Sequence, residues 1–273
     1  MESLMRNLIA ASVLAVAAVP MTASASLVTQ WQYLATSNWS QPVVFSASGN
    51  GTTSVTNDVI SWGATGGSYK GAGPKNRSAL EIAGMAAPAT ADTNSVNASL
   101  TNSITHYNNV LNSYSTLTSA VLTTSLQLQP WAPVIGPVFP PKVLNFDIRF
   151  KETTNTNSAA SCGFASIGTC DDIFVIDNPA SLVTKFVYDG YKYTVKLVET
   201  TQTLGGLSAA ACAVANSAPG CVGFQTVEGK NTTAQFGFTI ESEKISVPAP
   251  ATLGLLAFSV LGLSLSARLR KKA

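Results

Sequence analysis

Alternation with a period of two constrains this chain more than any other feature. From Val143 to Lys151, Leu144, Phe146, Ile148 and Phe150 interleave with Asn145, Asp147, Arg149 and Lys151. Successive side chains of an extended strand point to opposite faces, so this segment predicts a strand with one buried face. Ala234, Phe236, Phe238 and Ile240 repeat the pattern against Gln235, Gly237, Thr239 and Glu241. Ala120, Leu122, Leu126 and Leu128 repeat it before Pro130, with Thr124 as the polar intruder.

Register is legible at one place. In the segment from Lys185 to Leu197, Asp189-Gly190 has the residue types that accept positive φ at both centres of a type I′ turn. A two-residue hairpin there sets Tyr188 opposite Tyr191, Phe186 opposite Tyr193 and Thr184 opposite Val195, and each such cross-strand pair is worth about 0.2–1 kcal/mol. Ile173 to Ile176 is a short continuous apolar run, consistent with a central strand covered on both sides. Helical periodicity is poor outside the two ends of the chain. The small-residue stretch from Ala83 to Ala98, with Pro88, predicts a loop, and the four prolines between Trp131 and Pro141 predict an extended crossover. Many short strands with such connections give an all-β fold class, a β-sandwich with jelly-roll or Greek-key-like winding. A single barrel-like sheet is the alternative.

The two ends are of a different kind. Residues 1–25 carry Arg6 in a short charged region, an apolar core from Leu8 to Val19, Pro20, and then Ala23-Ser24-Ala25. That is the layout of a secretory signal peptide with a small-x-small site at Ala23 and Ala25, so cleavage after Ala25 by signal peptidase is expected. At the other end, Val247-Pro248-Ala249-Pro250 precedes an apolar run over 251–267 and a basic cluster, Arg268, Arg270, Lys271 and Lys272, within 268–272. A helix over that run is about 25 Å long, just enough for a transmembrane segment, and the cations are expected to stay on the cytoplasmic side. The working domain is then 26–246, outside the inner membrane.

Charge must be counted without those ends. Removing Arg6, Glu2 and the four tail cations from a chain of net charge +2 leaves 11 basic and 13 acidic residues, about −2. With 11% charged residues overall and no cationic run in the body, no nucleic-acid footprint is present. The sparse, hydroxyl-rich surface suits hydrogen-bonding partners such as extracellular polysaccharide or other copies of the protein.

Four cysteines in an exported chain imply two disulfides, for which three pairings exist. Cys162 with Cys170 and Cys212 with Cys221 each close a short local loop, and this pairing is expected. Zinc is disfavoured, because spacings of eight and nine residues and one histidine do not match structural zinc ligands.

The tail resembles the PEP-CTERM sorting signal of Gram-negative bacteria, with Val247, Pro248, Ala249 and Pro250 in the motif positions and alanine where that family has glutamate. The resemblance implies handling by an exosortase and a transient stay in the inner membrane before display on the cell surface or release into the matrix. A second set of motifs covers the body: Thr105-His106-Tyr107-Asn108, Leu117 to Pro130, Phe150-Lys-Glu-Thr153, Cys170-Asp-Asp-Ile-Phe-Val-Ile176, and Cys221-Val-Gly-Phe-Gln-Thr-Val-Glu228. In order and combination these resemble the THxN family of PEP-CTERM proteins, with Thr105, His106 and Asn108 as the motif residues. That resemblance implies an address and no activity.

Candidate chemistry is sparse. His106 is the sole imidazole and the only histidine base a hydrolase could use, but no Gly-x-Ser-x-Gly elbow accompanies it, and a structural turn is the expected role. Asp171 and Asp172, with Asp147, Glu152 or Asp177, are weak oxygen-ligand candidates for calcium, although adjacent residues in a strand point to opposite sides. Capping of the Cys170 turn is the favoured role for that pair. Glu81, Glu152, Glu199 and Glu228 are the candidates for a paired-carboxylate glycosidase. Trp31, Trp39 and Trp62, if exposed, could stack on sugar rings. No cofactor is expected. The expectation is an exported surface or matrix protein that acts by contact, with polysaccharide binding as the alternative and a hydrolase behind both.

Overall fold

The computed structural model describes residues 25–71, 76–155, 158–167, 169–177 and 183–246. The sorting motif, the apolar run, the basic end and most of the signal segment lie outside the described residues. Among the described residues, no helix is long and apolar enough to cross a membrane.

The described residues form fourteen strands: β1 (Gln30–Phe45), β2 (Thr52–Val55), β3 (Val59–Gly63), β4 (Arg77–Ala83), β5 (Ala89–Asp92), β6 (Ser99–Tyr107), β7 (Leu117–Ala132), β8 (Lys142–Lys151), β9 (Asp172–Ile176), β10 (Val183–Tyr188), β11 (Tyr191–Glu199), β12 (Gly205–Gly206), β13 (Val222–Thr226) and β14 (Asn231–Lys244). A short α-helix, α1 (Ala209–Val214), follows Ser208, whose side chain accepts from the Ala211 N–H as an N-cap. The strands make two seven-stranded sheets. The first has the order β12-β13-β9-β8-β7-β1-β5 and the second β10-β11-β14-β6-β4-β3-β2. All pairings between named strands are antiparallel. The fold is a β-sandwich.

The predicted strands bury the faces that alternation assigned to them. In β8, Phe146, Ile148 and Phe150 are buried while Asn145, Asp147, Arg149 and Lys151 are exposed. In β14, Ala234, Phe236, Phe238 and Ile240 face inward, and an irregularity between Gln235 and Gly237 shifts the register against β6. A Cβ on Gly237 would sit 2.8 Å from the Ser99 carbonyl oxygen, so glycine is what permits that approach. The hairpin of β10 and β11 has the expected register, Tyr188 opposite Tyr191 and Phe186 opposite Tyr193, with φ of 43° at Asp189 and 75° at Gly190.

The core has three parts. Between the sheets, Trp39, Trp62, Leu80, Ile104, Leu122, Phe146, Phe150, Phe174 and Phe236 pack with their neighbours into one cluster. Towards the β10–β11 end, Trp31, Tyr33, Tyr193, Phe238 and Ile240 form a second, with the Trp31 ring edge-on to Tyr193 at 4.9 Å between centroids. The third lies on the other face of β9, where Ile173 and Val175 meet α1 and the two disulfides. All five residues of β9 are buried, so the apolar run Ile173–Ile176 is a central strand covered on both sides.

Two expectations for connections are corrected. Ala83–Ala98 is not all loop: Ala89–Asp92 form β5, an edge strand paired with β1 through Gln30 opposite Asp92. Small side chains with a single buried residue, Ala91, gave that strand no period to see. The proline-rich segment does connect strands, but it crosses over none. It joins the hydrogen-bonded neighbours β7 and β8 and folds back on its own strand, with Gly136 N–H donating to the Pro130 carbonyl and Phe139 N–H to that of Leu128.

Candidate functional site

At one end of the sandwich, strand termini from both sheets bring polar side chains into an enclosed space. β6 ends at Tyr107 and delivers His106 and then Asn108 from the second sheet. From the first sheet, β8 ends just before Glu152 and Thr153, β9 begins with Asp172, and β13 ends with Thr226 just before Glu228. Trp62 on β3 closes the side of the space. His106, Asn108, Asp172, Thr226 and Trp62 are each at most 1% exposed.

The ring of His106 is held by aromatic packing. Trp62 stacks near it at 6.3 Å and 17°, and Phe150 meets it edge-on at 4.9 Å. Both ring nitrogens lack a hydrogen-bond partner. Nε2 lies 3.7 Å from Asp172 Oδ2, too far for an N–H···O bond. Burial pushes the imidazole down to about 3, so the ring is neutral and the contact is not an ion pair.

The carboxylates share one pattern. Glu152 Oε2 accepts from the Trp62 indole N–H at 2.7 Å, and Asp172 Oδ1 accepts from the Thr153 N–H at 2.8 Å. The Thr153 hydroxyl lies 3.1 Å from the same Asp172 oxygen, but its one proton goes to the Cys170 carbonyl at 2.5 Å. Glu152 and Asp172 also hydrogen-bond each other and Asn108 hydrogen-bonds Glu228, while Glu152 Oε1, Asp172 Oδ2, both oxygens of Glu228 and Asn108 Oδ1 are closed to solvent. Burial, reinforced by mutual repulsion, raises Glu152 well above the usual carboxylate range; burial raises Asp172 in the same way. Burial also pushes Glu228 up to about 7, opposed by Asn108. Among the described residues no lysine or arginine forms an ion pair with these three acids.

The motif residue Asn108 anchors the space to β13, its Nδ2 donating to the Thr226 carbonyl at 3.0 Å and its own N–H to the Lys230 carbonyl at 3.1 Å. Thr105 points the other way, its hydroxyl 2.9 Å from that of Thr233 on the sheet surface. Thus four motif segments, around His106, Glu152, Asp172 and Glu228, converge on one cluster.

Other candidates fall elsewhere. Asp171 and Asp172 diverge as strand geometry requires. Asp171 Oδ2 accepts from the Ile167 N–H at 3.1 Å and its own N–H donates to Ser166, capping the turn before Cys170. Asp147 is on the outward face of β8, and Asp177 binds Arg149 and Ser217. Those two do not join Asp172, and among the described residues no group of three His, Cys, Asp or Glu side chains is placed to hold a metal ion. Glu81 pairs with Lys70, and Glu199 accepts from Thr201 and Thr203. Trp31, Trp39 and Trp62 are 0–4% exposed, so they are core residues and not a sugar-stacking platform. Trp131 is the exposed tryptophan.

Both expected disulfides form, Cys162–Cys170 with Cα atoms 5.3 Å apart and Cys212–Cys221 with 5.9 Å. The first lies two residues before Asp172, and its Cys170 carbonyl is bound by Thr153, so the cross-link and the polar cluster are joined. Thr153 and Thr226 were not singled out from the sequence beyond the motifs that contain them, and Trp62 was singled out only for stacking on sugars. Only the adjacency of Thr153 to Glu152 hinted at one of them.

No protein-family model matches the chain, and no curated protein matches it. The two family resemblances rest on the quoted motifs.

Proposed function

We propose that this is an exported surface or extracellular-matrix protein that acts by contact, delivered by a signal peptide over 1–25 and sorted through the PEP-CTERM-like tail over 247–273. The observation that carries this reading is the pair of local disulfides formed within a β-sandwich, which fits an oxidising compartment beyond the cytoplasm. Signal peptidase and an exosortase are its processing partners, and the inner membrane holds it only transiently. The chain passes between the two sheets repeatedly, consistent with Greek-key-like winding. With His106 enclosed and neither nitrogen hydrogen-bonded to a hydroxyl or thiol, a binding or structural role is favoured over a hydrolase. Polysaccharide binding would need a platform other than Trp31, Trp39 and Trp62.

Intact-mass measurement of the exported protein from cells with and without an exosortase tests the proposal. Loss of residues 1–25 in both, and of the tail only where the exosortase is present, is the expected result. An unprocessed chain recovered from the cytosol would overturn it.

A further inference from the structure

We propose that the proline-rich segment over 131–141 docks on a phospholipid bilayer, with Trp131, Val134, Ile135 and Val138 as the inserting side chains, a role that rests on the reading of 251–267 as a membrane segment.

Composition sets the segment apart. On a chain rich in hydroxyl and amide groups, residues 131–141 read Trp-Ala-Pro-Val-Ile-Gly-Pro-Val-Phe-Pro-Pro, without one charged, hydroxyl or amide side chain. Val134 is 73% exposed, Ile135 59%, Val138 53% and Trp131 37%. Single exposed apolar residues need no explanation, but a set gathered on one loop marks an interaction surface. The backbone is tied so that these side chains cannot fold inward. Gly136 N–H donates to the Pro130 carbonyl at 3.0 Å, the Gln129 amide to the Gly136 carbonyl at 3.0 Å, and Phe139 N–H to the Leu128 carbonyl at 2.9 Å. Phe139 is the inward anchor, its ring 5.7 Å from that of Trp31 and 5.3 Å from that of Tyr188.

The two ends of the domain decide what the loop meets. Just past β14, Ile245 N–H donates to the Gly190 carbonyl at 2.9 Å, and Ser26 N–H donates to Asp189 Oδ2 at 3.1 Å, so both ends lie at the turn of the β10–β11 hairpin. Tyr188, next to that turn, touches the loop: its hydroxyl stands 2.7 Å from where a Cβ on Gly136 would be. From Ser246 to the start of the apolar run the chain can reach at most about 17 Å. A bilayer that holds the run therefore lies close to the loop, and the chemistry of the loop fits it. Tryptophan suits the headgroup level, valine and isoleucine the acyl boundary, and the exposed Lys142 and Lys185, at the end of the loop and on the strand beside it, suit lipid phosphate. Docking would keep the sorting motif over 247–250 at the membrane surface.

The tail-bearing protein from cells without an exosortase, its disulfides intact, is reconstituted into vesicles of phosphatidylethanolamine and phosphatidylglycerol, with or without bromine on the acyl chains. The tail has no tryptophan, and Trp31, Trp39 and Trp62 are enclosed, so emission that bromine quenches in the parent and not in Trp131→Phe reports the loop. Docking predicts that difference. A double variant, Val134→Asp with Ile135→Asp, places charge at exposed positions and should lose the quenching with its Tm unchanged. Protein that floats with the vesicles while Trp131 stays unquenched would overturn the docking and leave the tail reading standing. A chain that does not float at all would overturn both. Unquenched Trp131 together with a lipid-free dimer that the aspartate pair dissolves would give the surface to a second copy instead.

Discussion

Asp189 illustrates how a single residue can serve both a turn and a chain end. It and Gly190 take the positive φ of a tight hairpin, and its Oδ2 accepts from the Ser26 N–H at 3.1 Å. Cleavage after Ala25 would turn that amide into a free ammonium facing the carboxylate. Asp189→Asn should therefore lower the stability of the processed form by up to about 1 kcal/mol, and that of the uncleaved form by less, as read from urea midpoints of both. Gly190→Ala tests the backbone instead: φ of 75° disfavours a Cβ, and a loss of about 1–2 kcal/mol is expected in the processed form, with a larger loss in the uncleaved form, where the new Cβ would stand 2.5 Å from that of Ala25. Glu199 gives a pH test. Partial burial raises its pKa, but hydrogen bonds from Thr201 and Thr203 outweigh this and hold it below the ordinary value. A carboxyl lowered on folding adds stability that is present above its unfolded value near 4.5 and is lost as pH falls through the folded one. Glu199→Gln should widen the stability gap to the parent at pH 7 and narrow it at pH 3. Equal gaps would show that those hydrogen bonds contribute no charge-dependent stability.

At the scale of the elements, β9 ties the molecule together. Its one face stacks Phe174 on Phe224 at 4.7 Å and 11°, and its other packs Ile173 and Val175 on the disulfide-bound layer. Phe174→Ala should cost about 3–5 kcal/mol in denaturant unfolding, because no neighbouring strand can close the cavity without breaking register. Replacing Cys212 and Cys221 together by alanine should cost about 2.5 kcal/mol from the freed loop, and more where the sulfurs' packing against Ala211 and Ala215 is lost. Reductant should reach the half-exposed Cys162 before the buried Cys212, a sequence that timed alkylation and peptide mapping would show. Elements with strong chemistry of their own were legible: β8 and β14 through period two, the β10–β11 hairpin through Asp189-Gly190, β9 through its apolar run. β5 was not, because Ala89, Thr90, Ala91 and Asp92 carry no pattern and become a strand only when β1 offers an edge.

Across the whole molecule, residues far apart in sequence acquire meaning only through topology. His106 was visible as a candidate base, Glu152 and Asp172 as weak calcium candidates, and Glu152 and Glu228 as candidate paired carboxylates, and nothing in their spacing joined all four. They meet because β6 of one sheet and β8, β9 and β13 of the other terminate at the same end of the sandwich. The tryptophans show the converse: an indole is equally suited to a core and to a sugar, and only the packing of two sheets decides that Trp31, Trp39 and Trp62 are core. The enclosed acids and the Cys162–Cys170 cross-link sit side by side, so the oxidised chain is the form in which this end of the fold is complete.

The most direct test of that account is non-reducing peptide mapping of the protein recovered from the cells that make it. The account predicts Ser26 as the first residue, Cys162 linked to Cys170 and Cys212 linked to Cys221. Four free thiols in a chain that still begins at Met1 would contradict it.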